Sequence, residues 1–419
     1  MTAGVLLALP GPEEAELVSL LDGPDTGLRV VRRCADVPEV VAAGLAGLGS
    51  LAVVAADLPG LDRPVLRQLA GSGVRTVLVT PGDDVPRSRS FGATAVVPAE
   101  AGAEEWARVV GELARTEPAE QPGEPAPTPP APDGPEGRLA VVWGPRGSPG
   151  RTTVAVNLAA ELAAGRETLL VDADTEAPSV SQVLGVLDET AGIAAAARLA
   201  GDGRLDTEHL RALSRRLGEH QRLLTGLTRA DRWRELPAAS LDVVWEQARQ
   251  LAAWTVVDVG AGIEEPVAGF GGAPRRHQAT LSALAAADVV VVVGAAEPVG
   301  MHRLVVALQE LAEAEVCDAH AVRVVVVNRV RGSATGANPE QAVVESLARF
   351  AGVTDPLLVP DDRPAHDRAV LRGATLAEVA PGSRSRAAVQ ELAARLTGAP
   401  GGARRGRPTR RGRRVRPAP

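Results

Sequence analysis

The sequence predicts an α/β protein built from two doubly wound parallel sheets joined by a proline-rich linker, and three observations predict it. Short apolar runs alternate with helical patterns along both halves of the 419-residue chain. Eight prolines crowd the stretch from Thr116 to Gly137, a composition that favours extended, solvated backbone and cannot bury a core. A glycine-rich turn between an apolar strand and a helix, from Val141 to Thr153, opens the second half. The chain accordingly divides into a first unit at 1–115, a linker at 116–137, a second unit at 138–398 and a tail at 399–419.

Taken in order, the first unit offers strands at Val5–Leu9, Leu28–Val31, Leu51–Ala55, Thr76–Val79 and Ala93–Val97. Helical patterns fall between them at Glu13–Leu21, Val37–Leu48 and Arg63–Ala70, then as a short weak turn near Arg87–Phe91 and finally at Glu104–Arg115. Five βα units imply a right-handed doubly wound sheet. The pattern resembles a response-regulator receiver domain. Asp57 falls where the phosphoacceptor of a receiver would sit, and Thr80 fits the hydroxyl position after the fourth strand. The first strand, however, runs into Pro10-Gly11-Pro12 in place of an acidic pair, and Val97-Pro98 keeps the proline without a cation before it. Asp57 therefore reads as a loop-capping or solvated carboxylate before it reads as a phosphoacceptor, and the unit as a degenerate receiver.

Composition narrows the chemistry. A hydrophobic content of 45% with 23% charge describes a folded globular chain. There is no tyrosine, and only three phenylalanines stand beside five tryptophans, so cores of Ala, Val and Leu are expected. Cys34 and Cys317 lie too far apart for a redox or metal spacing, and the six histidines form no ligand cluster. Met1 to Leu9 lacks a basic leader, and Asp288 interrupts the apolar run from Ala283 to Ala296, so a cytoplasmic protein is expected.

In the second unit Leu139–Trp143 supplies a strand and Thr153–Ala164 a helix, with a phosphate-cradling loop between them. The pattern G-x-x-x-x-G-K-[ST] is half met, by Gly150 and Thr152. The variant K-G-G-x-G-K-T-T fits in register over Arg146-Gly147-Ser148-Pro149-Gly150-Arg151-Thr152-Thr153, with arginine for both lysines and Ser148 for one glycine. Arginine is a wide planar fork where lysine is a compact point charge. Yet the chain has no lysine at all, its 45 basic residues all being arginine, so composition explains the exchange as well as loss of function does. Arg151 would reach the β- and γ-phosphates and Thr152 would offer its hydroxyl to Mg²⁺, while Pro149 removes one N–H donor. A tight strand-to-helix turn is the plain alternative. What raises the phosphate reading is a strand at Leu169–Val171 ending in Asp172-Ala173-Asp174, and another at Thr255–Val257 ending in Asp258 with Gly262 four residues on. Carboxylates at the C-terminal ends of parallel strands gather at the ligand edge, although any one alone reads as a strand-end cap.

From Arg138 to about Gly398 the chain resembles the ParA/MinD-type P-loop ATPases with a deviant Walker A motif. The resemblance implies ATP and Mg²⁺ as cofactors. Arg151 then takes the place of the phosphate-binding lysine and Arg146 that of the signature lysine, which reaches the nucleotide of a dimer partner. Asp174 matches the carboxylate associated with water activation, Asp172 its neighbour, and Asp258 the Walker B acid, so that Thr152, Asp172 and Asp258 form the metal set. Gly147, Ser148, Gly150, Thr152 and Thr153 surround the phosphates. Val324–Val327 followed by Asn328-Arg329 resembles the strand whose asparagine reads adenine, and Val359-Pro360-Asp361-Asp362 the later loop that packs on the base; the run Leu371 to Glu378 also follows the family.

A receiver-like unit joined to such an ATPase resembles the CpaE/TadZ proteins of Flp-type pilus assembly and the related actinobacterial septum-site-determining proteins, and the lack of a MinD-like amphipathic C-terminal helix favours that branch. It implies an ATP-dependent homodimer, a pilus-assembly or division partner, and a peripheral place at the membrane or cell pole. Two other readings stay open: a non-hydrolysing scaffold, and a DNA-bound partition ATPase. Removing the tail's eight arginines takes the formal charge from −7 to −15, so the body is acidic. The tail is then either a solvated end or a weak arm for DNA or anionic lipid.

Overall fold

The computed structural model describes residues 2–11, 13–24, 26–81, 85, 88, 92–116, 137–147, 149–187, 190–264 and 275–398. Its first sheet contains β1 (Ala3–Ala8), β2 (Leu28–Arg33), β3 (Leu51–Ala55), β4 (Arg75–Thr80) and β5 (Ala95–Pro98), all parallel, in the order β2-β1-β3-β4-β5. Successive side chains of a strand point to opposite faces, so both faces of this apolar sheet need cover. Val5, Leu7, Leu51 and Val53 pack beneath helices Glu13–Leu21 and Gly102–Arg115. Leu6, Ala8, Ala52 and Val54 pack beneath Val37–Leu45 and Arg63–Gly71.

Asp36 and Asp62 cap the latter two helices, accepting from the N–H groups of Glu39 and Val65 at 2.9 Å each. The expected helix Val37–Leu48 stops at Leu45, where Gly47 turns the chain at φ +67°. The expected turn near Arg87–Phe91 lies outside the described residues except for Ser88, which is buried and donates to the Thr80 hydroxyl at 2.9 Å.

The second sheet has eight strands: β6 (Arg138–Trp143), β7 (Thr168–Ala173), β8 (Arg215–Arg216), β9 (Gln221–Leu224), β10 (Trp254–Val259), β11 (Val289–Ala295), β12 (Val322–Val330) and β13 (Leu357–Pro360). Their order is β13-β12-β11-β6-β10-β7-β9-β8, parallel except for the pairing of β8 with β9. The sequence reading misses β8 and β9 because both are short and polar. Two exposed arginines on β8 leave the sheet with a charged edge that resists further pairing. The expected helix Thr153–Ala164 begins earlier, at Arg151, and ends at Leu162.

One feature of register sets up the site. β10 lies between β6 and β7, with Asp258 opposite Val142 on one side and Asp172 on the other. The loop after β6 and the acids of β7 and β10 therefore leave the sheet at one edge. The core is Val, Ala and Leu as expected, yet Trp143, Trp245 and Trp254 are also fully buried. Two of these satisfy their indole N–H groups, Trp143 on the Ala261 carbonyl at 3.0 Å and Trp245 on the Ser282 hydroxyl at 2.9 Å.

Helix Arg63–Gly71 of the first unit packs on helix Ala238–Leu251 of the second, where Arg67 pairs with Asp242 and Arg63 faces Glu246 as well as Asp242. The double reversal Arg63→Glu/Arg67→Glu is expected to separate the two units, read as a larger radius of gyration in low-salt X-ray scattering. An unchanged radius would remove this contact as the tie between them.

Candidate functional site

The loop after β6 is shaped by places where only hydrogen fits. A Cβ on Gly144 would stand 2.2 Å from the Val293 carbonyl oxygen of β11. Gly147 and Gly150 take φ of +107° and +101°, a left-handed region that glycine enters without strain. Gly150 also caps helix Arg151–Leu162, whose first N–H groups have no partner within the helix. Asn328, at the end of β12, holds the loop from outside: its Nδ2 donates to the Pro149 carbonyl at 2.9 Å, and its Oδ1 accepts from the Arg329 N–H at 2.8 Å. Arg329 is left-handed at φ +60°, rare for a residue with a side chain.

Inside this turn the Thr152 hydroxyl donates to Asp258 Oδ2 at 2.6 Å and lies 3.3 Å from the Ser179 hydroxyl. The other Asp258 oxygen is buried without a partner. Asp172 accepts from three backbone N–H groups, those of Asp174 at 3.2 Å and of Ser179 and Val180 at 3.0 Å, so it anchors the turn that follows β7. Asp174 Oδ1 accepts from Glu176 and Ala177 at 2.8 and 2.9 Å, while its Oδ2 faces the Arg151 guanidinium at 3.5 Å. Arg151 folds back over the loop, donating to the carbonyls of Gly144 and Pro145 at 3.1 and 3.0 Å, and its Nε is buried unpaired.

The Arg151 guanidinium thus faces Asp174 and also acts on Asp258, while Asp172 is answered by backbone N–H groups. Burial pushes the Asp172 and Asp258 carboxyls well above the ordinary carboxylate range, and for Asp258 the charge of Asp172 adds to it. Among the described residues no group of three or more His, Cys, Asp or Glu could hold a metal ion by itself. Mg²⁺ takes one or two protein ligands and completes its shell with water and phosphate oxygens. The unpaired Asp258 oxygen and the Thr152 hydroxyl fit that role.

The other expected residues fall around this centre. Arg146 is largely exposed, 3.7 Å from Glu176 and 3.8 Å from Glu264. Thr153, Asn328, Arg329, Pro360 and Asp361 line, with Gly150, a cavity of about 440 Å³ beside the loop. Ser148 lies outside the described residues, as do most of the linker and the tail. Asp57 is exposed and belongs to the other sheet. Sequence reasoning overlooked Arg303, which donates to the Arg146 carbonyl at 3.5 Å and lies over Gly147, and Arg276 with His277, which hold Thr175 and Glu176. No local pattern marks them, since Arg303 comes from 157 residues away and Arg276 from 101.

A strand, an anion-cradling turn, a helix and acids on the neighbouring strand ends define a nucleotide-binding P-loop protein. Residues 140–369 match the family model described as the CobQ/CobB/MinD/ParA nucleotide binding domain, and the chain belongs to that family. Among solved structures it is similar to a ParA family ATPase from Chlorobium tepidum TLS, at TM-score 0.53 and 17% identity over 62% of this chain and 99% of that one. It is also similar to the septum site-determining protein MinD complexed with Mg-ADP from Pyrococcus horikoshii OT3, at TM-score 0.48 and 22% identity over 62% and 95% of the two chains. The cell division ATPase MinD of Pyrococcus furiosus gives TM-score 0.49 and 21% identity over 62% and 99%. At such identities the likeness is one of fold. No match was found among curated proteins. Among the described residues no helix is long and apolar enough to cross a membrane.

Asp258→Asn keeps an acceptor for Thr152 and removes a buried charge. Because the folded-state values of Asp172 and Asp258 lie above the unfolded ones, the native state binds more protons, and stability falls as pH climbs from the ordinary carboxylate range toward the raised values. The variant is expected to flatten that fall in nucleotide-free protein and to gain on the order of 1 kcal/mol at neutral pH in urea denaturation. Identical pH profiles for variant and parent would contradict it.

Proposed function

We propose that the protein is an ATP- and Mg²⁺-binding switch of the ParA/MinD kind that closes into a homodimer and positions a partner assembly. The observation that carries this reading is the hydrogen bond from Thr152 to Asp258 at the mouth of a helix N-terminus, beside a carboxylate oxygen with no partner. Thr152 and Asp258 would hold Mg²⁺, and Asp172 keeps the turn behind them in shape. The ion, when bound, draws charge from the phosphate oxygens. Gly147 and Gly150 let the backbone approach the phosphates, and Thr153 starts the wall on the base side. Arg151 swings from the Gly144 and Pro145 carbonyls to the phosphates. Asp174 orients the attacking water, and Arg146, on the surface beside Glu176 and Glu264, reaches the nucleotide of the second protomer. Asn328, Arg329, Pro360 and Asp361 receive the base.

The strand order of the first unit, which is that of flavodoxin-like folds, supports its reading as a degenerate receiver. It also supports the CpaE/TadZ-like reading: a cytoplasmic protein, peripheral at the membrane or pole, serving a pilus-assembly or septum-site machine. A non-hydrolysing scaffold is the second reading, and one observation favours it. The Arg151 guanidinium is tied to two loop carbonyls and to Asp174, so both the phosphate-binding cation and the water-orienting acid are engaged with each other.

Titration calorimetry with ATP at millimolar Mg²⁺ separates the switch from the scaffold: binding in the micromolar range is expected, about 8 kcal/mol, and no binding would leave only the scaffold. Arg151→Lys is expected to raise turnover about ten-fold by restoring a compact cation, an unchanged or lower rate marking an abandoned site. Asp174→Ala is expected to keep ATP affinity within about three-fold while trapping dimer in size-exclusion chromatography; loss of binding would place Asp174 among the ligand contacts instead.

A further inference from the structure

The loops that follow β7 and β10 are fastened to each other by two consecutive residues on each side. Arg276 donates through Nη1 to the Thr175 hydroxyl and through Nη2 to the Thr175 carbonyl, both at 2.9 Å. The next residue, His277, places Nδ1 3.4 Å from the Glu176 carboxylate. Thr175 is buried, and both its side chain and its backbone oxygen are served by one planar fork. The Trp233 ring lies near the Arg276 guanidinium, 5.4 Å from its centroid, and near that of Arg234 at 4.4 Å. Glycines let the loops come this close: a Cβ on Gly262 would meet the His277 ring at 2.2 Å, and one on Gly260 would stand 3.2 Å from Asp174 Oδ1.

We infer that Arg276 is a positioning residue for Asp174, acting through Thr175. Arg276 does not touch Asp174. It holds the residue that follows, in a turn that also carries the two N–H groups of Glu176 and Ala177 donated to Asp174 Oδ1 and the bonds from the Asp174, Ser179 and Val180 N–H groups to Asp172. With the fork in place, Asp174 points Oδ2 toward Arg151. Without it, the turn keeps its bonds to Asp172 and Asp174, but Thr175 loses both tethers to the loop after β10 and the carboxylate beside it gains freedom. Lysine is a poor substitute, because Arg276 serves the hydroxyl and the carbonyl from two separate nitrogens of one rigid fork and a single ammonium on a flexible stem does not reproduce that geometry. The inference rests on the reading of Asp174 as the group that orients water.

The test uses the full chain and compares Arg276→Ala, Arg276→Lys and Thr175→Val with the parent. Three quantities are measured: affinity for a fluorescent ATP analogue with Mg²⁺, single-turnover hydrolysis at saturating Mg-ATP, and amide hydrogen exchange at Glu176 and Ala177. Arg276→Ala is expected to slow hydrolysis about ten-fold with affinity within about two-fold, and to speed exchange at those two amides about ten-fold. Arg276→Lys recovers neither in full. Thr175→Val shifts both in the same direction by less, and adds nothing on top of Arg276→Ala. Unchanged exchange at both amides overturns the inference, as does hydrolysis that falls only in proportion to affinity. If the parent binds no ATP, the nucleotide reading fails by itself, and exchange still decides the clasp: protection lost in Arg276→Ala sustains it and protection kept removes it.

Discussion

The bond between the Thr152 hydroxyl and Asp258 joins a helix to a strand that enters the fold about a hundred residues later, and the rest of the site is arranged around it. It exists because β10 inserts between β6 and β7, which brings the helix N-terminus of one βα unit over the acid of another. The acid is buried and half-satisfied, a costly arrangement in a dry interior. Such an arrangement is kept where a cation completes it, and the surrounding glycines, the helix N-terminus and the cavity on the base side all face the same edge.

Electrostatics then explains the behaviour of the arginine that replaces the usual lysine. Beside the cluster of Asp172, Asp174 and Asp258, Arg151 lies across the loop with its guanidinium toward Asp174 and an unpaired buried Nε. A guanidinium has five donors in a fixed plane, so it finds carbonyl partners that a lysine would reach one at a time. The arginine-only composition of this chain therefore changes how the loop rests as well as how it is charged.

Much of this was legible in the sequence, and the legible part is local. The strand-loop-helix spacing fixed the positions of Gly150, Arg151 and Thr152, and the apolar runs ending in Asp172 and Asp258 placed both acids at strand ends. The register that sets those acids opposite each other was not legible, because β10 pairs with strands distant in the chain. Nor was the second task of Asn328, whose amide secures Pro149 from 179 residues away. Arg276, His277 and Arg303 carry no periodic or motif signal, and β8 and β9 are too short and polar to show one. The composition points to cores of Ala, Val and Leu, yet Trp143 and Trp245 are buried there too and each ties its element in place through an indole N–H.

Asp242 lies where the two units meet. It accepts from the Ser282 hydroxyl, which in turn receives the Trp245 indole, and its other oxygen pairs with Arg67. A fragment cut within the linker would keep the first two links and lose the third, leaving Asp242 and Glu246 without the arginines that answer them. The matching fragment would show Arg63 and Arg67 bare. Severed halves of this chain accordingly carry opposite, uncompensated faces, which is the condition under which two pieces expressed apart find one another again when mixed.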